Sequence, residues 1–563
     1  MKRYWKYIRP YIQYYILGPC FMMMEVVGDV LLPYMLAKII NQGIAERNVV
    51  YIIKIGAIMG FIAVIMAVGG VLGAWFASKA AMNFGADLRM DLFEKIQQFS
   101  FQNIDNFSTG SLITRLTNDI TQIQNMIMMT LRMCLRSPGI LIGAMVMAFV
   151  ISPKLAAIFI IVLPVLAVLI VVIMRRAFPQ FRTLQEKLDA LNSCIQEGLV
   201  GIRLIKSFVR GDYEEMRFEK RNQQLKEANL TAMKTMLLYT PLMTLALNIT
   251  TVVVVWSGGN MIVAGNMQVG DLTAFTNYIV QIMSSLTMLS IAFLNWARAI
   301  ASFRRVGEVL DEKIDLTDEN AKHKDRAVCE GSVEFQNVSF RYYKNSPEWV
   351  IENISFKLEA GKTLGIIGST GSGKSTLVSM IPRLYDTDEG TVLVDGINVR
   401  DYGLKPLREG IGMVLQNNTL FSGSITENLK WGDEHADEKA VRKAAQNAQA
   451  AGFIDSFKDG YRTRLEQSGN NVSGGQKQRL CIARALLKCP KILILDDSTS
   501  AVDTATERAI REALHSEYKD MTKIIIAQRI RSVMDADEIL VLDNGKTAGF
   551  GTHEQLLADC PVY

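Results

Sequence analysis

The chain has 563 residues, of which 49% are hydrophobic and 21% charged, and its mean hydropathy is +0.17. This length predicts more than one domain, and the composition is too apolar for an ordinary soluble enzyme. The formal net charge of +5, without a basic patch interleaved with aromatic residues, argues against a nucleic-acid partner. Seven scattered cysteines, without a CxxC pair, indicate neither a disulfide framework nor a metal site.

The apolar residues are concentrated in the first 310 positions, which predict an α-helical membrane domain. A membrane-spanning helix needs about 20 apolar residues. Several of the runs exceed that length, so we expect tilted spans or helices that extend beyond the bilayer. Six predicted spans lie at 12–40, 51–78, 126–151, 154–176, 237–264 and 272–300.

Lysines and arginines are concentrated at the N-terminus and in the connections at about 79–125 and 177–236. The positive-inside rule places these regions, and with six spans also the C-terminal domain, on the cytoplasmic side of the cell membrane. Both connections favour helix, so we expect the spans to continue into the cytoplasm. Each is interrupted once, at 101–110 and at 208–216, by either a solvated turn or a segment that docks on another domain.

Two carboxylates lie within the first predicted span. Glu25 and Asp29 are four residues apart and therefore share one helix face. Charged groups inside a membrane face a water-filled path or a partner. They are either part of a path for cationic substrates or a polar contact between helices.

A charged, polar stretch at 311–330 predicts a linker to a second domain at 331–563. In that domain strand patterns alternate with helix patterns, which predicts an α/β fold. The stretch GSTGSGKST matches the P-loop pattern G-x-x-x-x-G-K-[ST], and it follows an apolar strand and precedes a helix. Its backbone N–H groups would wrap ATP phosphates, Lys374 would contact the β- and γ-phosphates, and Ser375 would contact Mg²⁺. The predicted phosphate-binding residues are Gly368, Ser369, Thr370, Gly371, Ser372, Gly373, Lys374, Ser375 and Thr376.

The stretch KILILDD reads as a buried strand that ends in two carboxylates, Asp496 and Asp497. A strand-end carboxylate beside a P-loop suits a magnesium ion, so Asp496 is the predicted metal ligand. The following residue in an ATP motor activates the attacking water.

The stretch NVSGGQKQRL is a third motif, after the P-loop and the strand that ends at Asp496. With these three motifs the chain resembles the ATP-binding cassette (ABC) transporters, specifically exporters with six spans fused to one nucleotide-binding domain. The resemblance implies that Tyr342 stacks on adenine, that Gln416 meets magnesium and senses the membrane domain, and that Asp503 belongs to the D-loop at 500–503. It also implies that the interruptions at 101–110 and 208–216 are coupling helices. The residues that match the family's signature motif are Val472, Ser473, Gly474, Gly475 and Gln476.

The resemblance also implies a dimer, because each ATP lies between the P-loop of one cassette and the signature of the other. Two positions depart from the family pattern, since Asp497 replaces a catalytic glutamate and Gln528 replaces a switch histidine. Misplacing a catalytic group by about 1 Å lowers a rate by about 10²-fold, and glutamine cannot carry the charge of a protonated imidazole. We therefore expect one half of a heterodimer, whose partner carries glutamate and histidine and whose competent site uses Ser473 and Gly475 of this chain.

The expected function is ATP-driven export of small amphipathic or drug-like molecules through a lipid membrane. The alternatives are a lipid or peptide exporter or flippase, a homodimeric exporter, and a nucleotide-gated regulatory membrane subunit.

Overall fold

The computed structural model describes residues 2–344, 346–497 and 502–563. It divides into two compact units. The first comprises Met1–Ile96 and Gly110–Asp311, and the second comprises Gln97–Thr109 and Glu312–Tyr563. The second unit therefore includes a short segment from between two helices of the first.

The first unit is built from long helices. Its α-helices are Trp5–Ile8, Ile12–Lys38, Val49–Gln97, Thr109–Thr114, Ile120–Met133, Arg136–Ile151, Pro153–Val200, Ile202–Ser207, Gly211–Leu237, Tyr239–Val263 and Val269–Asp311. Two π-helical turns, Ile39–Ile44 and Arg115–Asp119, extend or join them.

Within the described residues, five helical stretches are long and apolar enough to cross a membrane. They are Trp5–Ile44, Val49–Gln97, Thr109–Ile151, Pro153–Val200 and Gly211–Val263. Five of the six predicted spans fall in these stretches. The sixth, at 272–300, falls in the helix Val269–Asp311, which is not among the five. Part of that predicted span lies outside the residues whose side chains the structure describes, so the sixth span stays a prediction.

Close helix packing holds this unit together. A Cβ atom at Gly69 would lie 3.0 Å from the carbonyl oxygen of Phe21, so the first two long helices approach each other almost backbone to backbone. Elsewhere the rings of Phe159 and Phe275 stack at 5.5 Å, and the buried Tyr278 hydroxyl donates to the carbonyl oxygen of Val30 at 2.8 Å. Close contacts between small residues and between buried aromatic rings thus hold these helices together, whereas a soluble core depends on removing apolar side chains from water.

The second unit is the predicted α/β domain. Its described strands are β1 Val333–Phe340, β2 Ile351–Leu358, β3 Thr363–Gly368, β4 Glu389–Val394, β5 Ile397–Asn398, β6 Ile411–Val414, β7 Gly423–Ser424, β8 Arg464–Leu465, β9 Ile492–Asp496, β10 Thr522–Ile526, β11 Glu538–Asp543 and β12 Lys546–Gly551. Its described α-helices are Phe101–Asp105, Lys374–Ser379, Leu404–Glu409, Ile425–Leu429, Glu438–Asn447, Ala451–Ser456, Gly474–Leu487, Thr504–Glu517 and His553–Asp559.

Two sheets share the main core of this unit. The larger has the order β12-β11-β3-β10-β9-β6 and is parallel except for β12. The smaller is antiparallel, with the order β2-β1-β4-β5. Buried residues of both sheets form one apolar cluster. The carboxyl ends of β3, β9 and β10 meet at one edge of the larger sheet, which is where α/β domains bind ligands.

One carboxylate anchors the chain where it enters this domain. Both oxygens of Asp395 accept backbone N–H groups, from Cys329 and Gly331 at 2.7 Å, from Ser332 at 3.0 Å and from Glu330 at 3.1 Å. Hydrogen bonds to a charged group contribute about 1.5–3 kcal/mol each. This carboxylate therefore fixes the segment that leads into β1.

We expect Asp395→Ala to release that segment, because four backbone donors lose their acceptor. Backbone hydrogen exchange at 329–332 should accelerate by at least about tenfold, as measured by mass spectrometry on the full chain. Asp433→Ala is the matched control, since its carboxylate accepts a local backbone bond from His435 in an exposed loop. Unchanged exchange at 329–332 would show that the carboxylate is not the anchor.

Candidate nucleotide-binding site

A cavity of about 320 Å³ opens at the carboxyl edge of the parallel sheet. Its lining brings together most of the predicted site, although the residues come from distant parts of the chain. The predicted residues that line it are Tyr342, Thr370, Gly371, Ser372, Gly373, Lys374, Ser375, Thr376, Gln416, Asp496, Asp497 and Gln528. Val350 and Ile526, which the sequence patterns did not single out, also line it.

Glycines shape the loop between β3 and the helix Lys374–Ser379. Gly371 and Gly373 have φ of 85° and 89°, a region that side chains disfavour. A Cβ atom at Gly373 would lie 2.6 Å from Cγ2 of Ile351 and 2.9 Å from the carbonyl oxygen of Val350. The loop can therefore wrap closely around a ligand only because these positions lack side chains.

The ammonium group of Lys374 is held inside this loop. It donates to the carbonyl oxygens of Ser369 at 2.7 Å and Gly368 at 2.9 Å. Burial lowers the pKa of Lys374, while the carboxylates of Asp496 and Asp497 oppose that shift. The group is thus a preorganised cation at the position where the P-loop pattern predicts phosphate oxygens.

Oxygen ligands for a divalent cation converge beside the loop. The Ser375 hydroxyl donates to Oδ1 of Asp496 at 2.9 Å, and Asp496 is only 3% exposed. Burial raises the pKa of Asp496, and the Ser375 hydrogen bond opposes the increase. Gln416, just after β6, adds an amide oxygen to the same cavity. Hydroxyl, carboxylate and amide oxygens fit the preference of Mg²⁺ for hard ligands.

Tyr342 forms part of another wall. Its hydroxyl lies 2.8 Å from Oγ1 of Thr376, and either atom can be the donor. Its ring packs edge to face with Phe340 at 5.1 Å. The side chain remains partly exposed, so a ring face is available to a planar ligand.

The two residues that depart from the family pattern contact each other. Nε2 of Gln528 donates to Oδ2 of Asp497 at 2.8 Å. Burial raises the pKa of Asp497. Of the influences that oppose this increase, the hydrogen bond from Gln528 is the largest. Asp497 also adopts a left-handed backbone conformation, with φ of 47°. The sequence predicted both side chains at this cavity but not the bond between them.

The predicted signature residues lie elsewhere. Ser473 caps the helix Gly474–Leu487, because its hydroxyl accepts from the backbone of Gln476 and the Gln476 side chain accepts from the backbone of Ser473. The signature residues are not among the described residues that line the cavity; they are Val472, Ser473, Gly474, Gly475 and Gln476.

Asp503 is also separate from the cavity lining. It caps the helix Thr504–Glu517 by accepting from the backbone of Thr506 at 3.0 Å and from its hydroxyl at 2.7 Å. These bonds lower the pKa of Asp503. Ser500 of the predicted D-loop lies outside the described residues.

Family models of known proteins match both units of the chain. The family model for the ABC transporter transmembrane region matches residues 15–286, and the ABC transporter model matches residues 351–500. The chain is 39% identical over 563 residues to the uncharacterized ABC transporter ATP-binding protein YfiB of Bacillus subtilis, covering 100% of this chain and 97% of that relative.

The chain belongs to the ABC transporter family.

Two further similarities agree with this assignment. The chain is 34% identical to the proposed multidrug export ATP-binding/permease protein YgaD of Bacillus subtilis, over 99% of this chain and 97% of that protein. The solved structure of a bacterial Atm1-family ABC exporter with ATP bound has the same fold, with a TM-score of 0.81 over 99% of this chain and 97% of that chain, at 24% identity. This ABC transporter is therefore an exporter half-transporter, in which a membrane unit is fused to an ATPase whose hydrolysis is coupled to transport.

The structure gives the two carboxylates of the first predicted span a shared partner. Arg136 lies 2.8 Å from Oε1 of Glu25 and 3.4 Å from Oδ2 of Asp29. Arg136 begins the helix Arg136–Ile151, directly after a break in the predicted third span. The sequence signal that could have found it is an arginine within an apolar run, since such a charge needs a partner.

We expect nucleotide affinity to fall at alkaline pH. Phosphate binding needs a protonated Lys374, and its pKa lies below that of an exposed lysine, so the ammonium is lost as pH rises through that lowered value. The measurement is the dissociation constant of a fluorescent ATP analogue with Mg²⁺ between pH 7 and pH 10.5.

Lys374→Arg is the matched variant, because a guanidinium stays protonated throughout this range. Its affinity for the analogue should depend less on pH than that of the wild type. Identical pH profiles for the two proteins would contradict the assignment of Lys374 to phosphate binding.

Proposed function

We propose that this chain is one half of a heterodimeric ABC exporter, in which its own ATP site binds nucleotide well and hydrolyses it slowly. The observation that carries the proposal is the 2.8 Å hydrogen bond from Gln528 to Asp497 in the wall of the cavity. That bond joins Asp497 and Gln528, the two residues that depart from the family pattern. The phosphate loop beside it has the left-handed glycines Gly371 and Gly373 that a P-loop needs.

Nucleotide binding is assigned to the cavity lining. Tyr342 stacks on adenine, the backbone of 368–376 surrounds the phosphates, and Lys374 pairs with their charge. Ser375, Gln416 and Asp496 hold Mg²⁺, which neutralises phosphate charge when it is bound. The buried Asp496 and the preorganised Lys374 support this assignment, because both need a charged ligand to offset their desolvation.

We attribute slow hydrolysis to the short side chain of Asp497 and the neutral side chain of Gln528. The Asp497 carboxylate is one methylene shorter than glutamate, and one of its oxygens accepts the Gln528 amide. A water held by the shorter arm sits farther from the γ-phosphate, and an error of about 1 Å lowers a rate by about 10²-fold. The amide of Gln528 donates a hydrogen bond but cannot supply positive charge to the transition state.

A competent site requires a partner subunit. Ser473 and Gly475 begin an intact signature helix that is directed, in the proposed dimer, at the nucleotide of the opposite cassette. The proposed partner carries glutamate and histidine at the positions of Asp497 and Gln528. Asp503 belongs to the D-loop of the same interface.

We assign residues 1–310 to a membrane domain of six spans with long cytoplasmic extensions, 311–330 to a linker and 331–563 to the nucleotide-binding domain. The N-terminus and the nucleotide-binding domain face the cytoplasm, because the basic connections lie on that side. In the proposed dimer, the exposed apolar side chains of Phe208 and Val209 serve as a docking segment.

The proposed substrates are small amphipathic, drug-like cations. Similarity to YgaD supports a multidrug role. Glu25 and Asp29 carry two negative charges against the single positive charge of Arg136, so this cluster retains one negative charge. Charged groups within a membrane unit line substrate paths, and a surplus carboxylate favours cationic substrates.

Transport by the purified pair in inside-out vesicles tests the substrate assignment. We expect ATP-dependent uptake of a cationic dye, with Glu25→Gln reducing that uptake at least about tenfold while sparing a neutral dye, because the cluster then loses its surplus charge. Uptake of a fluorescent phospholipid alone would favour a flippase. Ion current without uptake of either probe would favour a nucleotide-gated subunit.

ATPase measurements in lipid test the heterodimer. We expect negligible turnover by the chain alone and restored turnover when a second half-transporter from native membranes co-purifies with it. Changing the partner's catalytic glutamate to glutamine should abolish that turnover. Robust turnover by the chain alone would make it a homodimeric exporter.

A double variant supplies the control for slow turnover. In nanodiscs that hold two copies of this chain, Asp497→Glu with Gln528→His should raise turnover by about 10²-fold, and either single change by less. Adding Ser473→Ala should abolish the gain, because Ser473 serves the opposite site. Equal rates for the wild type and the double variant would contradict the proposed slow site.

A further inference from the structure

The short helix Phe101–Asp105 is held within the second unit by a buried polar cluster. Asn103 is 1% exposed, and its Nδ2 donates to the carbonyl oxygen of Lys313 at 2.9 Å and to Oε1 of Glu312 at 3.2 Å. Its Oδ1 accepts from the Ser100 backbone N–H at 3.2 Å, and the Ser100 hydroxyl accepts from the Asn103 backbone N–H at 3.0 Å, which together form a capping box. One face of the helix is therefore held in place.

The other face of this helix meets a single tyrosine, Tyr385. The hydroxyl of Tyr385 donates to Oδ2 of Asp105 at 2.9 Å. Its ring lies 5.9 Å from that of Phe101, at an interplanar angle of 53°. Tyr385 thus contacts both ends of the helix, by a directional hydrogen bond at one end and a ring contact at the other.

The same ring also contacts the proposed adenine site. Tyr385 packs edge to face against Tyr342, with centroids 5.4 Å apart and an interplanar angle of 83°. Tyr342 in turn shares a 2.8 Å hydrogen bond with Thr376 of the phosphate loop. An unbroken series of contacts therefore runs from Thr376 through Tyr342 and Tyr385 to Asp105.

The backbone around Tyr385 is firmly held. The buried Arg383 donates to both carboxylate oxygens of Asp386, at 2.9 and 3.2 Å. This bidentate pair joins residues on either side of Tyr385 and stabilises the local backbone. Burial, together with the bond to Asp105, raises the pKa of Tyr385, so the phenol keeps the proton that it donates.

We propose that Tyr385 is a positioning residue that couples adenine binding on Tyr342 to the position of the helix Phe101–Asp105. This inference rests on the proposed assignment of Tyr342 to adenine. A base stacked on Tyr342 restricts that ring and thereby the edge contact with Tyr385. Because the hydrogen bond to Asp105 is directional, it is strongest for one orientation of the Tyr385 ring. Such coupling is reciprocal, so loosening the helix also weakens adenine binding.

Two nucleotide probes separate this role from general damage to the site. ATP engages Tyr342, whereas tripolyphosphate carries the phosphates without the base. In the full-length chain in nanodiscs with Mg²⁺, we expect Tyr385→Phe and Asp105→Ala each to weaken ATP binding by about threefold to tenfold, because each removes one partner of the hydrogen bond. Neither change should alter the affinity for tripolyphosphate.

The double variant should bind ATP no more weakly than either single variant, since both changes remove the same bond. Asn106→Ala, an exposed change on the same segment, and Tyr402→Phe, which removes a buried hydroxyl that donates to Val394, are the matched controls and should leave both affinities unchanged. Additive effects, equal effects on both probes, or no effect on ATP would overturn the proposal.

Lys374→Ala distinguishes failure of the coupling from failure of the site. If Lys374→Ala abolishes binding of both probes while Tyr385→Phe and Asp105→Ala change nothing, the coupling is wrong and the nucleotide site stands. If Lys374→Ala leaves ATP binding intact, the site assignment is wrong and the coupling falls with it.

Discussion

The charge balance around one lysine constrains the whole nucleotide site. Lys374 supplies one positive charge, whereas Asp496 and Asp497 supply two negative charges to the same cavity. A polyphosphate cannot enter this environment favourably without a further cation. The Ser375 hydroxyl and Asp496 carboxylate, 2.9 Å apart, would give a divalent ion oxygen ligands, and such an ion would reverse the local charge. The parallel sheet holds these groups together, because β3 and β9 flank β10 and all three strands end at the same edge.

Contiguous motifs could be read from the sequence, and long-range contacts could not. The glycine loop and the strand that ends at Asp496 each lie within a few residues, so spacing and residue type predicted them. Five of the six membrane spans predicted from apolar runs fall in long apolar helices of the described residues. The bond from Gln528 to Asp497 and the ion pairs of Arg136 join residues that are far apart in the chain. No local pattern specifies which rotamer closes such a contact, so these appeared only in the fold.

Tyr385 illustrates the same limit for a residue without any motif. It follows the P-loop helix by a few positions and carries no special spacing, yet it contacts both Tyr342 and Asp105. A tyrosine suits this position because its ring edge packs on another aromatic ring while its hydroxyl reaches a carboxylate. Phenylalanine at this position would keep the ring packing but lose the directional hydrogen bond to Asp105. Tyr385→Phe therefore distinguishes a coupling role of the hydroxyl from a structural role of the ring.

A site that binds ATP without rapid hydrolysis still does work in a transport cycle. A ligand stabilises whichever conformation binds it better, by about 2.7 kcal/mol when it is present at 100 times its dissociation constant. A slow site therefore keeps its half of a cassette dimer biased toward closure over many turnovers of the other half. In the proposed heterodimer the Gln528–Asp497 bond would serve that purpose, since a neutral amide would hold the carboxylate in place without supplying charge to the transition state. In that proposed pair only the opposite site would need to hydrolyse ATP to reset the membrane domain, so one site would hold the closed state and the other would release it.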